Sequence, residues 1–186
     1  MKKILLILLT LSVFVAKAQE VDSAYSKTVS TVTAVHDGDS YKVQTIFANY
    51  DSTSESIVLD TLSEWVRIMG VDCPEVISNH ITANQPKGVE IGDSLRLLLK
   101  GKKVVVTTFG KDIYRRTLAT IQLDSIDISA LILSKGWGWY ISSSLPNDTR
   151  KHYQKLRDTA KKKKLGVWSD KSPTEPKKWR RSYWRE

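Results

Sequence analysis

Hydrophobic and polar residues alternate over residues 28–35 and again over 40–47, in stretches rich in Val, Thr, Ile and Tyr. That period of two predicts a pair of half-buried strands. They are joined at Asp37-Gly38-Asp39, a turn signal because Gly accepts positive φ and Asp hydrogen-bonds its own backbone. Polar residues 49–55 predict a loop, followed by short strands at about 56–59 and 65–69, the second leading into Val71-Asp72-Cys73-Pro74. The spacing then changes. Val89, Ile91, Leu95, Leu98 and Leu99 lie three and four apart and predict an amphipathic helix over 88–100, closed by Gly101. Residues 104–109 and 118–123 return to a strand pattern. Asp127 is placed to cap a helix running through Leu133 to Gly136, and Asn147 or Asp148 to cap a last helix reaching about Leu165. Strands, a helix, more strands and then helices predict an α+β domain or a small barrel with helices packed on it.

The first residues follow another pattern. Lys2-Lys3 precedes an apolar run over 4–15, and Ala16-Lys17-Ala18 follows it. A basic start, an apolar stretch and a small-x-small site predict an export signal cleaved near Gln19. The run is short for spanning a bilayer, so no stable membrane insertion is expected after cleavage. The expected organisation is a signal (1–18), a flexible lead-in (19–27), one domain (28–168) and a basic, aromatic tail (169–186). The expected location is secreted, periplasmic or at the cell envelope, and the expected state is a monomer.

Composition narrows the chemistry. Cys73 is the single cysteine, which excludes an intramolecular disulfide and any cysteine-based zinc site. His36, His80 and His152 are scattered without ligand spacing. The net charge of +9 is unevenly placed: residues 19–147 hold 12 basic and 15 acidic side chains, residues 148–186 hold 14 and 5. A mildly acidic domain with a basic end points to a polyanionic partner, either nucleic acid or an anionic envelope surface.

Two acidic clusters carry the candidate chemistry. The first is Asp37-Gly38-Asp39-Ser40, and the second runs from Arg67 to Asp72-Cys73-Pro74-Glu75. An EF-hand is excluded, because its sixth and twelfth positions would fall on Lys42 and Ala48 instead of Gly and Glu. A hairpin turn with solvated carboxylates is the plain alternative. Read together, Asp39 and Asp72 could offer carboxylate oxygens to a hard divalent cation, with the Cys73 carbonyl as a third donor. Phosphodiester hydrolysis also needs an activated water and fixed positive charge on the phosphate oxygens. Glu75 is the candidate for the first task. Arg67 and Arg116 are the candidates for the second, since a guanidinium stays protonated and binds two oxygens at once.

These segments, in this order, resemble the staphylococcal nuclease family. In that family an Asp-Gly-Asp-Thr turn precedes an Arg-x-x-x-hydrophobic-Asp-x-Pro-Glu strand exit, and an Asp-x-Tyr-Gly-Arg-x-Leu-Ala segment follows. The chain has Asp37 to Ser40, then Arg67 to Glu75, then Asp112-Ile113-Tyr114-Arg115-Arg116-Thr117-Leu118-Ala119. Gln85-Pro86-Lys87-Gly88, Leu165-Gly166-Val167-Trp168 and Pro176-Lys177-Lys178-Trp179-Arg180-Arg181 also look like family segments. The resemblance implies an OB-type, five-stranded barrel with about three helices. It implies Ca²⁺ held by Asp39, Asp72 and the Cys73 carbonyl, with Asp37 nearby, Arg67 and Arg116 on the phosphate, and Glu75 as general base. The implied reaction is cleavage of DNA and RNA at the 5′ P–O bond, leaving 3′-phosphates. The alternative is a catalytically silent module of the same fold that only binds nucleic acid.

The chain departs from the family pattern at Ser40 and Cys73, where Thr is usual, and at Arg115, where Gly is usual. If that position takes positive φ, Arg115 strains the turn that aims Arg116; otherwise it adds a phosphate contact. Tyr114, Arg115 and Tyr140 are candidate substrate contacts. The family's nucleotide-flanking tyrosines fall near Ser142 and Ser144. Trp137, Trp139 and Tyr140 could stack bases in their place or pack against the last helix. Trp179, Tyr183 and Trp184 could hold a strand or fold back on the domain.

Overall fold

A computed structural model describes residues 25–77, 84–142 and 144–183. The predicted export signal lies outside the described residues. Strand β1 (Ser26–Val35) turns at Asp37-Gly38-Asp39 into β2 (Ser40–Asp51), which pairs with β3 (Ser56–Ile68). The two-residue β4 (Val71–Asp72) follows, then α1 (Gly88–Leu99), β5 (Lys103–Lys111), β6 (Thr117–Leu123), β7 (Ile126–Asp127) and α2 (Ile128–Lys135). After β8 (Trp139–Tyr140) come α3 (Asn147–Lys162), a single 3₁₀ turn (Gly166–Ser169) and α4 (Pro176–Tyr183).

The main sheet is mostly antiparallel, in the order β3-β2-β1-β5-β6-β7. A parallel pairing of Val66 to Ile68 in β3 with Thr117 to Ala119 in β6 joins its two sides. Strands β1, β2, β3, β6 and β5 thus run in a closed circuit, as an OB-like α+β fold requires. Inside it lie Val32, Val43, Val66, Ile68, Val106 and Ile121, all nearly inaccessible. Ile91, Leu95 and Leu99 of α1 bury the stripe the sequence predicts. Ile128, Ile132 and Leu133 of α2 and Tyr153 of α3 close another side. Each such side chain contributes about 1.5–3 kcal/mol on burial.

The Asp127 cap forms as expected: its Oδ1 accepts from the Ala130 amide (3.1 Å), while Oδ2 accepts from the Tyr153 hydroxyl (2.6 Å). The expected side-chain cap on α3 does not form, and Pro146 opens that helix through its carbonyl. The Leu165-Gly166-Val167-Trp168 turn packs directly on Gly136. A Cβ on Gly166 would sit 2.2 Å from the Gly136 carbonyl oxygen, so no other residue fits there.

Three expectations change. The loop expected over residues 49–55 shrinks to a turn over 52–55: β2 and β3 pair without interruption from Ser40↔Arg67 to Asp51↔Ser56, merging the two short strands expected after it into one. Tyr50↔Ile57 and Ala48↔Leu59 carry that ladder out beyond the core, so both faces are exposed and the burial pattern that marks a strand is lost. Ser26 and Lys27, read as lead-in, pair with Thr108 and Thr107 in β5. Finally, the tail contains a helix, α4, that packs on the domain. Among the described residues no helix is long and apolar enough to cross a membrane.

Candidate active site

The β1–β2 turn and the β3–β4 exit meet because Gly38 allows it. A Cβ there would lie 2.5 Å from the Cys73 Cβ and 2.6 Å from its Sγ. The turn is fixed by the Asp39 amide donating to Asp37 Oδ1 (3.1 Å) and by the Tyr41 hydroxyl donating to the Gly38 carbonyl (2.6 Å). The Cys73 amide then donates to Asp39 Oδ2 at 2.8 Å, tying the two clusters together. Asp37, Asp39 and Asp72 are all buried, a costly arrangement unless each is paired.

Arg67 supplies that pairing for Asp39 and Asp72. It projects from the end of β3 and donates from Nη1 to Asp39 Oδ1 (2.6 Å) and from Nη2 to Asp72 Oδ1 (2.5 Å). Glu75 sits two residues past Cys73 and is half-buried. Its amide donates to Gln85 Oε1 (3.2 Å), and its carbonyl accepts from the Gln85 amide (2.9 Å). Gln85 is thus the strut that positions the Glu75 segment.

Arg116 reaches the site from the β5–β6 connection, held by Asp112. Its Nε donates to Asp112 Oδ2 (2.8 Å) and its amide to Oδ1 (2.9 Å), while Cζ lies 5.6 Å from the Tyr114 ring centroid. Arg115, between them, has φ of 64°, the left-handed region in which a glycine is at ease and a long side chain is strained. Its side chain is exposed.

A cleft of about 660 Å³ is lined by Asp37, Arg67, Glu75, Tyr114 and Arg116 together with Lys177, Arg180 and Arg181 of α4. Arg180 donates from Nη1 and Nη2 to the two oxygens of Asp72 (3.2 Å each) and pairs with Glu75. Arg115 and Tyr140 are not among the lining residues. Tyr140 instead lies under Arg157 of α3, with Cζ 5.6 Å from its ring centroid, and Trp139 packs edge-on against Trp168 at 5.2 Å. These aromatics pack the domain, which leaves Tyr114 as the aromatic of the cleft.

Four acids lie near two guanidinium groups, and burial raises three of them, Asp37, Asp39 and Glu75. Burial, then the neighbouring Asp39, push the Asp37 carboxyl up to about 8. Burial also raises Asp39, against the pull of Arg67, and raises Glu75, against that of Arg180. The Cys73 thiol is pushed well up by burial and by the carboxylates around it, so it stays protonated and is no nucleophile. For Arg67, burial works against the charge, but Asp39 and Asp72 more than offset it and hold it protonated.

Residues 65–170 match the family model for staphylococcal nuclease homologues. The chain belongs to that family. A staphylococcal-like nuclease of Arabidopsis thaliana, CAN1, is 27% identical over 117 residues, 63% of this chain and 33% of that protein. An uncharacterized endonuclease of Haemophilus influenzae is 29% identical over 116 residues, 62% of this chain and 60% of its own length. A probable endonuclease, LCL3, of the yeast Meyerozyma guilliermondii is 30% identical over 172 residues, 83% of this chain and 74% of that protein. The chain therefore spans a third of the plant relative and three quarters of the yeast one. The family match begins at Trp65, so the Asp37-Gly38-Asp39 turn lies before it and joins the site through the contacts of Gly38 and Asp39.

Among the described residues no three acidic, His or Cys side chains close into a metal cage. The carboxylates turn instead to Arg67 and Arg180. The donor set nonetheless fits a hard cation: it offers oxygen only, and Asp37, Asp39, Asp72 and Glu75 outnumber Arg67 and Arg180 beside them. Sequence reasoning missed Gln85 as the strut and Arg180, Lys177 and Arg181 as cleft residues. The signal for the last three was available: Pro176, Trp179 and Arg180 lie at i, i+3 and i+4, the spacing of a helix face that docks.

Proposed function

We propose that this protein is a Ca²⁺-dependent phosphodiesterase that hydrolyses DNA and RNA strands at the 5′ P–O bond, leaving 3′-phosphates. The observation that carries the reading is the convergence on one cleft of Arg67, Glu75 and Arg116, above the buried pair Asp39 and Asp72. Family membership and the nuclease and endonuclease names of the relatives support it.

Asp39 and Asp72, with the Cys73 carbonyl, would hold the cation, and Asp37 would add negative charge behind them. Bound there, Ca²⁺ supplies charge that polarises a phosphoryl oxygen. Glu75 accepts the proton of the attacking water; its raised pKa brings it nearer neutrality, where a base is most effective. To do so it must leave Arg180. Arg67 and Arg116 neutralise the charge that gathers on the equatorial oxygens, each as a two-donor fork. Tyr114 offers a face on which a base adjoining the cleaved bond stacks. The Lys2-Lys3 start and the apolar run after it support export, and we take the protein to act as a monomer outside the cytoplasm.

A second reading has one observation in its favour: Arg67 and Arg116 are both engaged by carboxylates, as in a module that binds strands without cutting them. Incubating the protein with single-stranded DNA and RNA in Ca²⁺ or in EGTA separates the two. Products that form only with Ca²⁺ and carry 3′-phosphates support the nuclease. Retention of strands without products supports the binding module.

A further inference from the structure

We propose that α4 is the second wall of the nucleic-acid cleft, with Lys177 and Arg181 binding backbone phosphates that flank the one being cleaved. The proposal rests on the reading of this cleft as a nucleic-acid site and extends it to a segment beyond the family match, which stops at residue 170.

Three contacts hold α4 in place. Pro176 opens the helix and is buried, and Trp179 lines a small hollow together with Gln85, Trp139, Val167 and Pro173. Gln85 Nε2 donates to the Thr174 carbonyl at 2.6 Å, so the residue that struts Glu75 also anchors the approach to α4. Arg180 spans to Asp72 and Glu75. Residues 176, 179 and 180 form the docking face. Lys177 and Arg181 are one turn apart beside that face, so their heads stand together on the rim. Both line the cleft, both are exposed, and neither makes an ion pair among the described residues.

The chemistry of the opposite wall makes such a pair useful. Acids beneath the cleft disfavour a polyanion, and without a cation there Arg67 is paired with Asp39 and Asp72. A strand threading the cleft needs cations that no local acid neutralises, and Lys177 and Arg181 meet that need in the cleft that Arg116 and Tyr114 also line. Cations on an ordered helix fix the register of the strand without reading its sequence, as backbone contacts do.

The test measures binding of a single-stranded oligonucleotide in EGTA against salt concentration for wild type and for Lys177→Ala with Arg181→Ala. For a single strand, each phosphate left unneutralised makes the slope of log K on log salt shallower by about 0.7, so the slope of the double variant should be shallower by about 1.4. With Ca²⁺ its KM should rise while kcat stays within about twofold, since uniform binding is removed. Lys155→Ala with Lys162→Ala removes the same charge from α3, away from the cleft, and should leave the slope nearly unchanged. A slope equal to wild type in the α4 variant, or an equal change in both variants, overturns the proposal. So does tighter binding or a higher kcat in the α4 variant, which would make α4 a cover over the site. If wild type cuts nothing and the slope still falls by about 1.4, the nuclease reading fails and the wall stands.

Discussion

Arg180 forks onto Asp72 across 108 residues of sequence, with Nη1 and Nη2 each 3.2 Å from a different carboxylate oxygen. On the proposed reading a divalent cation would use these same oxygens, so helix docking and cation binding would draw on the same charge. Arg180→Gln should therefore tighten Ca²⁺ binding several-fold in calorimetric titration. Unchanged affinity would mean that Arg180 and the cation occupy separate parts of the cluster.

Arg67 has a structural task as well as a proposed chemical one. Its two ion pairs are nearly enclosed, with 13% of its side chain exposed. Removing one partner of a buried pair costs about 3–5 kcal/mol, because the carboxylates are left without compensation. Arg67→Ala should lower stability by that order in denaturant titration and also remove most turnover. Added Ca²⁺ should restore part of the stability and none of the turnover. A variant as stable as wild type would show that Asp39 and Asp72 find other partners.

Asp37 makes the apo protein sensitive to pH in a direction opposite to most carboxylates. Its carboxyl moves from 3.8 to about 8 on folding. Between those values the native state holds a proton that the unfolded chain has released, so stability falls as pH rises through the window. In EGTA, unfolding midpoints should decline from about pH 4 to about pH 8, and Asp37→Asn should flatten the decline. Ca²⁺ binding at pH 7 should release a proton, seen as a dependence of the binding enthalpy on buffer ionisation. A flat profile in wild type would contradict the buried, protonated Asp37.

Arg115 at φ of 64° occupies a backbone conformation that costs an L-residue about 1–2 kcal/mol. Arg115→Gly should recover roughly 1 kcal/mol in thermal or denaturant unfolding, because the Asp112 hydrogen bonds already define the turn. If activity also changes, kcat reports on the aim of Arg116, and KM reports on a phosphate that residue 115 no longer holds.

The sequence carried the site further than it carried the sheet. Asp37, Asp39, Arg67, Asp72, Glu75 and Arg116 are all legible because each is a short, spaced motif whose chemistry survives without coordinates. The partners were harder to see: Gln85 behind Glu75 and Arg180 on Asp72 are pairings of fold, whereas Asp112 under Arg116 lies four residues away within one quoted segment. The α1 stripe was legible because Ile91, Leu95 and Leu99 face one core. The β2–β3 arm was not, because Ile46, Tyr50, Ile57 and Leu59 lie on exposed strand and no burial contrast marks its period. The turn at residues 52–55, with the Thr53 amide on Asp51 Oδ1 at 2.9 Å, is the part of the expected loop that is real.

The central claim is that the cleft between Glu75 and Arg116 is a hydrolytic site, and Glu75→Gln tests it most directly. The substitution keeps the shape of the side chain and removes the base. With Ca²⁺ present, the variant should bind single-stranded DNA about as well as wild type while single-turnover cleavage falls at least about a hundredfold, the scale of a missing general base. Cleavage at the wild-type rate would contradict the account and move the reaction to other residues.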